Sequence, residues 1–241
     1  MNKVYACSDL HGQYELWEQI SNYCDKTDKI YFLGDAIDRG PDGIKLFEAL
    51  KSDPRVIYLK GNHEDLLIKS ILAILDDEDD FYGNSHLQLW LYNGGLSTYE
   101  KLMSYPIETR KSYITYLNKL PMFARYKNKK NKMIYMTHSG SFSDPIWDRQ
   151  HLIQLTFTED INSYIVHGHT PVQKLNRFFY GDIKNSEGKL FPRVIKDAEV
   201  AFYCGGNKID IDLGSFASNK TALLNLDTFE PMYFTMPSSK E

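Results

Sequence analysis

Asp9 and His11, in the stretch SDLHG, stand two residues apart, so in an extended segment both side chains leave on one side and can reach one metal ion. Asp35 closes the apolar run KIYFL, and Asn62 follows RVIYL. His138 follows KMIYM, and His169 follows SYIV. Two Asp, one Asn and three His, with no thiolate, form a mixed oxygen and nitrogen donor set. Such a set suits Mn²⁺, Fe or Zn²⁺ better than Ca²⁺ or Mg²⁺ alone. Six candidate ligands are too many for one tetrahedral zinc and suit two ions sharing a carboxylate. Two divalent ions about 3.5–4 Å apart can hold a bridging hydroxide and clamp both sides of an in-line phosphoryl displacement. With Asp9 and Asp35 as the only charged ligands, the loaded site keeps a net positive charge and attracts a phosphate dianion. Any one of these stretches alone reads equally well as a polar turn.

The elements around them decide that question. KVYAC, KIYFL and RVIYL are short apolar runs, each followed by a polar cluster and then by a segment of 3.6-residue apolar period. The three helical faces carry Leu16, Trp17, Ile20 and Tyr23; Ile44, Phe47 and Leu50; and Leu67, Ile71 and Leu75. This alternation predicts βαβ units and a parallel sheet. Ligands in such sheets sit beyond the carboxyl ends of the strands, where all three polar clusters fall. In GDAIDRG, Gly34 and Gly40 allow a tight turn and Pro41 is expected to start the next helix. Residues 76–130 read as a helical insertion near the mouth of the site, opening with the acidic run DDEDD and broken at NGG and Pro106. KMIYMTHSG and SYIVHGHTP resume the strand-then-loop theme. EVAFYC, KIDIDL, TALLNL and PMYFTM predict strands of a C-terminal meander. No internal repeat or linker is apparent, so a single domain over residues 1–241 is expected.

Composition narrows the classes further. The chain has 241 residues, 42% hydrophobic and 14% aromatic, enough for one full core. A net charge of −4 gives no global attraction for nucleic acid. Three widely spaced cysteines fit neither a disulfide framework nor a zinc knuckle and favour a reducing cytoplasm. The opening MNKVYACSDLHG has no signal-peptide pattern, and no apolar run approaches the roughly 18 residues of a membrane span. A cytoplasmic monomer is expected.

Taken in order, SDLHG, GDAIDRG, GNHE, THSG and HGHTP resemble the PPP-type metallophosphatases, within the calcineurin-like phosphoesterases; these include the serine/threonine protein phosphatases and their small bacterial and phage relatives. The resemblance spans about residues 4–171, with a further element in IDLGS at 211–215. It implies an α/β four-layer sandwich, two mixed β-sheets flanked by helices. It implies that Asp9 and His11 bind one metal, Asp35 bridges, and Asn62, His138 and His169 bind the second, Mn²⁺ foremost, with Fe or Zn²⁺ as alternatives. His63 would be the general acid, oriented by Asp38. Arg39 and, from the shorter motif PIWDRQ, Arg149 would hold phosphate oxygens.

The implied activity is a phosphomonoesterase acting on a phosphoprotein or small phosphoester by direct attack of the bridging hydroxide. A symmetrical dinucleoside tetraphosphate hydrolase shares the core, but those relatives typically carry Ala at the position of Asp38 and Asp at that of Glu64. A cyclic-nucleotide phosphodiesterase is a further alternative. Pro171 stands where nuclease-type relatives place a second His. A catalytically silent scaffold would have lost ligands or the acid, and none is missing here. Residues 172–208 depart from the simplest family pattern and read as an extra hairpin or flap. Lys60 precedes GNHE where some relatives have Arg. His167 reads as orienting its neighbours; His86 and His151 as ordinary surface or helix histidines. DDEDD reads as a solvated loop and KNKKN at 127–131 as a solvated hairpin tip. Trp90, Tyr92 and Asn93 border Gly94–Gly95 as a helix end or an aromatic rim, and Cys7 reads as a buried apolar residue.

Overall fold

A computed structural model describes residues 2–76, 85–149, 163–192, 194–196 and 198–237. The first third alternates as the periodicity requires: β1 (Val4–Cys7), α1 (Tyr14–Tyr23), β2 (Lys29–Phe32), α2 (Gly43–Ser52), β3 (Val56–Tyr58) and α3 (Asn62–Asp76). β1, β2 and β3 run parallel, with Tyr5 opposite Ile30 and Tyr31 opposite Ile57. Then follow α4 (Ser85–Trp90), a π-helical turn at Leu91–Gly95, α5 (Leu96–Met103), α6 (Ile107–Asn118), β4 (Phe123–Lys127), β5 (Met133–Thr137) and β6 (Ser163–His167). β7 (Ala201–Tyr203), β8 (Lys208–Asp210), α7 (Ser215–Ser218), β9 (Lys220–Asn225) and β10 (Pro231–Thr235) complete the order. The strands form two mixed sheets, β10-β9-β1-β2-β3 and β4-β5-β6-β8-β7.

Strand alternation sorts the apolar side chains into two cores. From β1 and β2, Tyr5, Cys7, Ile30 and Phe32 face the helices, where Leu16, Phe47, Leu67 and Trp90 meet them. Val4, Ala6, Tyr31 and Leu33 face the other way, onto Ile134, Met136, Val166 and Ile209 of the second sheet. The result is the α/β sandwich that the family resemblance implies. Tyr23, expected on the buried face of α1, is 43% exposed at the helix end and meets Tyr5 and Phe234 edge-on. Cys7 is fully buried among apolar groups.

Three boundaries differ from the sequence reading. Helix α2 begins at Gly43, two residues after Pro41, because Gly40 and Asp42 donate their amides to His11 and Gly12 across the loop. The helical insertion gives way to β4 at Phe123, an edge strand paired antiparallel to β5. Phe123 is 61% exposed, so the strand lacks the buried alternation that would reveal it. The expected C-terminal meander is two hairpins in different sheets, since β7 pairs with β8 and β9 with both β10 and β1. Within residues 172–208, Lys184 forms antiparallel bridges with Leu190 and with Phe202, and Val172, Leu175, Phe179, Ile183 and Val200 are buried in the inter-sheet core. At the KNKKN turn, the Asn128 side-chain oxygen accepts from the amides of Lys130 and Lys132, and Lys129 pairs with Asp227 at 2.9 Å. Among the described residues, no helix is long and apolar enough to cross a membrane.

Candidate active site

The polar clusters meet where β1, β2, β3, β5 and β6 end. Ten described non-glycine residues have a left-handed backbone, and six are Asp9, His11, Asp35, Asp38, Arg39 and His169. Each such residue costs about 1–3 kcal/mol unless its surroundings enforce it. Here the loops after β1 and β2 lace together: the amides of Asp9, His11 and Gly12 donate to the carbonyls of Gly34, Asp35 and Ala36 at 3.1, 3.0 and 2.7 Å. From the first turn of α3, the fully buried Glu64 takes hydrogen bonds from the amides of Asp35, Ala36 and Gly61 and from the Tyr58 hydroxyl, all at 2.8–2.9 Å. Close approach matters equally at Gly168, where a Cβ would strike the Asp9 carboxylate and the Ser8 hydroxyl.

Asp35 lies at the centre. Its Oδ1 is 3.4 Å from His138 Nε2, and its Oδ2 is 3.6 Å from His11 Nε2 and 3.9 Å from His63 Nε2. Ligand-capable atoms of His11, Asp35 and His63 form one close group, and those of Asp35, His138 and His169 a second. Asn62 joins the second group, its Oδ1 lying 2.9 Å from His138 Nε2 and 2.8 Å from His169 Nδ1. Asp9 stands at the edge of the first, its Oδ1 4.0 Å from His11 Nε2, while both its oxygens accept the His169 amide.

Hydrogen bonding outside these groups tests whether they suit a cation. His138 Nδ1 donates to the Leu33 carbonyl at 2.8 Å, and His11 Nδ1 to that of Ile37 at 3.1 Å. Their Nε2 atoms are therefore lone-pair sites in the neutral rings, and they point at carboxylate and amide oxygens that are also acceptors. At His138, acceptors facing acceptors in a buried space call for a positive charge between them, either a cation or a proton on the ring: burial acts to lower its pKa, but the Asp35 carboxylate outweighs it and raises the imidazole to about 10, while at His11 the Arg39 guanidinium already lies against Nε2. The donor set fits divalent cations on both sides of Asp35. Burial, reinforced by nearby positive groups, holds His11 and His169 well below the usual imidazole range, in the neutral form that ligates metals. For Asp35, burial acts to raise the pKa but the surrounding imidazoles outweigh it and hold the carboxyl well below its ordinary range.

Beside these groups, His63 Nδ1 lies 2.7 Å from Asp38 Oδ2, and the same oxygen accepts from Trp90 Nε1 at 2.8 Å. Arg39 lies across the site, with Nη2 3.0 Å from His63 Nε2 and Nη1 against His11 Nε2. Both residues are gripped by the insertion: the Asp38 amide donates to Thr98 Oγ1 at 2.9 Å and the Arg39 amide to the Gly94 carbonyl at 2.8 Å. Gly94 has φ 97° and packs on Arg39 Cγ, which a side chain there would displace. Arg149 is brought beside His169, its Nη2 3.4 Å from that carbonyl, but its side chain is otherwise exposed. Its segment is anchored by Trp147, whose indole donates to Asp65 at 3.0 Å.

All ten expected site residues therefore converge. The sequence reading gives no hydrogen-bonding role to Glu64, a family marker there, or to Trp90, a helix end or aromatic rim. It likewise gives no role to Asp210 or to Asp212 of the IDLGS element, both buried behind Asp9, with burial pushing Asp212 up to about 6 and Asp210 well above the carboxylate range. His167 stays out of the cluster, its Nε2 2.6 Å from the Tyr203 hydroxyl. His86 is exposed on α4. His151, Arg193 and residues 77–80 of the acidic run lie outside the described residues.

The profile of the calcineurin-like phosphoesterase family matches residues 2–173. A symmetrical bis(5'-nucleosyl)-tetraphosphatase of Buchnera aphidicola is 28% identical over 149 residues, a match covering 60% of this chain but only 46% of that protein. Among solved structures, a metallophosphoesterase from Sphaerobacter thermophilus superposes with a TM-score of 0.58 at 17% identity, over 98% of this chain and 88% of the other. A protein serine/threonine phosphatase from Saccharomyces cerevisiae gives 0.51 at 14% identity, over 100% and 82%. At these identities the two structures bear on the fold alone.

Proposed function

The chain belongs to the calcineurin-like phosphoesterase family, and we propose that it is a phosphomonoesterase of the serine/threonine phosphatase type that works with two divalent metal ions. In this reading Asp9, His11 and Asp35 hold one ion, and Asp35, Asn62, His138 and His169 the other, with Mn²⁺ the first metal to test. When bound, the ions supply Lewis acidity toward phosphoryl oxygens and an activated water. The observation that carries the reading is the buried His63–Asp38 pair set against the ligand groups, with Arg39 bonded to the same imidazole.

Asp38 fixes the His63 tautomer, leaving Nε2 to face the substrate. An incoming phosphate takes the donors of Arg39, which frees His63 Nε2 to take up a proton from solvent; the imidazolium, stabilised by Asp38, passes that proton to the departing alkoxide and returns to the neutral ring. Arg149, held beside His169 by Trp147, adds donors from the opposite side. The whole chain acts as one domain in this reading, in a reducing cytoplasm that suits three unpaired cysteines.

The test is His63→Asn assayed with phosphoserine and with p-nitrophenyl phosphate in the presence of Mn²⁺. Nitrophenolate departs without protonation, so the variant is expected to lose about 10²–10³-fold on phosphoserine and far less on the aryl ester. Equal losses refute the acid role. The relationship to the Buchnera tetraphosphatase favours a second reading, hydrolysis of a dinucleoside tetraphosphate. Diadenosine tetraphosphate turned over at least tenfold faster than phosphoserine or phosphopeptides decides for it.

A further inference from the structure

Beyond His169 the chain does not leave the site at once. The Val172 amide donates to the Asp212 carbonyl at 2.9 Å, and Gln173 Nε2 to that of Leu213 at 3.0 Å. The Ser215 hydroxyl, at the start of α7, donates to the Asp9 carbonyl. The loops after β6 and β8 are thus stitched to each other and to the metal-side loop. Between them opens a cavity of about 430 Å³ whose wall includes Arg39 and, away from it, Lys174, Lys196 and Phe216. Arg39 belongs to both spaces: its guanidinium reaches His11 and His63, and its side chain borders the cavity. None of the described lining residues is acidic, in a chain whose net charge is −4. Pro171 and the half-exposed Phe216 supply the apolar part of the wall.

We propose that this cavity is a subsite for a second phosphate of the substrate, held by Lys174 and Lys196 while Arg39 holds the phosphate that reacts. The proposal rests on the phosphoesterase reading and specifies its substrate class: phosphoesters or phosphoanhydrides bearing another dianionic group next to the scissile one. Charge complementarity carries it. Three cations and, among the described lining residues, no carboxylate form a local positive field against an acidic whole, and such a field selects anions.

The second phosphate can be ester-linked or part of a polyphosphate chain, and the probes separate these. Fructose 1,6-bisphosphate is compared with fructose 6-phosphate, and inorganic tripolyphosphate with pyrophosphate, for the wild type and for Lys174→Ala/Lys196→Ala with Mn²⁺. The ratio of kcat/KM for the richer substrate over the poorer is expected to be about tenfold or more in the wild type. It should fall to about one in the double variant, in whichever linkage class is used. A ratio near one in the wild type, or one unchanged by the double substitution, overturns the subsite. Calorimetric binding of tripolyphosphate is the second measurement, with about tenfold weaker binding expected in the double variant. If the wild type hydrolyses no phosphoester, the phosphoesterase reading fails on its own, and the calorimetry alone decides the subsite: equal affinities overturn it and the expected loss upholds it.

Discussion

Trp90 reaches across 52 residues of chain to donate its indole N–H to Asp38 Oδ2 at 2.8 Å, the same oxygen that faces His63 Nδ1 at 2.7 Å. The other oxygen of Asp38 is buried without a hydrogen-bond partner among the described residues. One carboxylate oxygen thus carries two donors, and the indole fixes where it stands. The helical insertion is therefore part of the site's framework, because the same segment also holds the amides of Asp38 and Arg39.

Trp90→Phe keeps most of the buried ring and deletes one donor to a carboxylate, a change of about 1.5–3 kcal/mol. We expect kcat to fall about tenfold on phosphoserine, which needs the acid, and about two- to threefold on p-nitrophenyl phosphate. Steady-state assays of both substrates on the folded variant check this. An equal fall on both substrates means that Trp90 serves packing alone.

Glu64 makes a different kind of contribution, to the backbone. Its two oxygens collect three amides and a tyrosine hydroxyl from the ends of β2 and β3, in complete burial. Glu64→Ala leaves four donors unsatisfied, and unmet buried donors cost about 1–3 kcal/mol each before relaxation or water entry. The expected loss is about 3 kcal/mol or more, or roughly 6–12 °C in Tm for a chain of this size. Glu64→Asp, one methylene shorter, should fall between the wild type and Ala because it cannot span both sides of the cradle. Thermal melts of both variants give the ranking, and Asp equal to the wild type is the contrary result.

These two residues mark the limit of what the sequence makes legible. The ligand groups stand out because metal chemistry restricts residue type, and each group follows a short apolar run whose strand identity is plain. Asp9, His11, Asp35, Asn62, His138 and His169 are therefore found together where the strand ends predict. Trp90 and Glu64 act by hydrogen bonds that impose no spacing, so their roles emerge only in three dimensions. Sheet partners are hidden for a similar reason. Alternation in TALLNL assigns Leu223 to one core and Ala222 and Leu224 to the other. It does not state that β9 pairs with β1. The edge strand β4 is hidden further, because an edge needs little apolar patterning.

Away from the site, Arg55 ties three segments. Its guanidinium pairs with Asp53 at 2.6 Å, donates to the carbonyls of Ser21 and Cys24 at 3.1 and 2.8 Å, and to the Ser21 hydroxyl at 2.6 Å. For Asp53, burial acts to raise the pKa, but the bonds and charge of Arg55 outweigh it and leave the carboxyl below its ordinary value. A carboxyl lowered on folding contributes stability that is complete above its unfolded pKa and is lost as pH falls through its folded one. Arg55→Ala is therefore expected to cost about 1–3 kcal/mol at pH 7. The part owed to Asp53 should fade as pH drops below the ordinary carboxylate range. Urea titrations of both proteins at pH 7 and at pH 3 measure the difference; a gap that widens toward acid contradicts the pairing.

The ligand assignment can be tested without turnover. A cation that binds only the folded chain stabilises it by RT ln(1 + [M]/Kd), about 2.7 kcal/mol when the metal is at a hundred times its Kd. For a chain of this length that corresponds to roughly 5–11 °C in Tm. We expect the chelator-treated protein to gain about that much on adding Mn²⁺. Asp35→Asn should gain much less, because it removes the carboxylate that faces both imidazole groups. Asn62→Ala and His169→Ala should each lose part of the gain, and His63→Asn should keep it, since in the proposed assignment His63 carries a proton and no metal. A gain abolished by His63→Asn as completely as by Asp35→Asn would move His63 into the ligand set, as its place in the first close group allows. The two roles make opposite predictions for one melting curve, so this variant separates the proton carrier from the metal ligand.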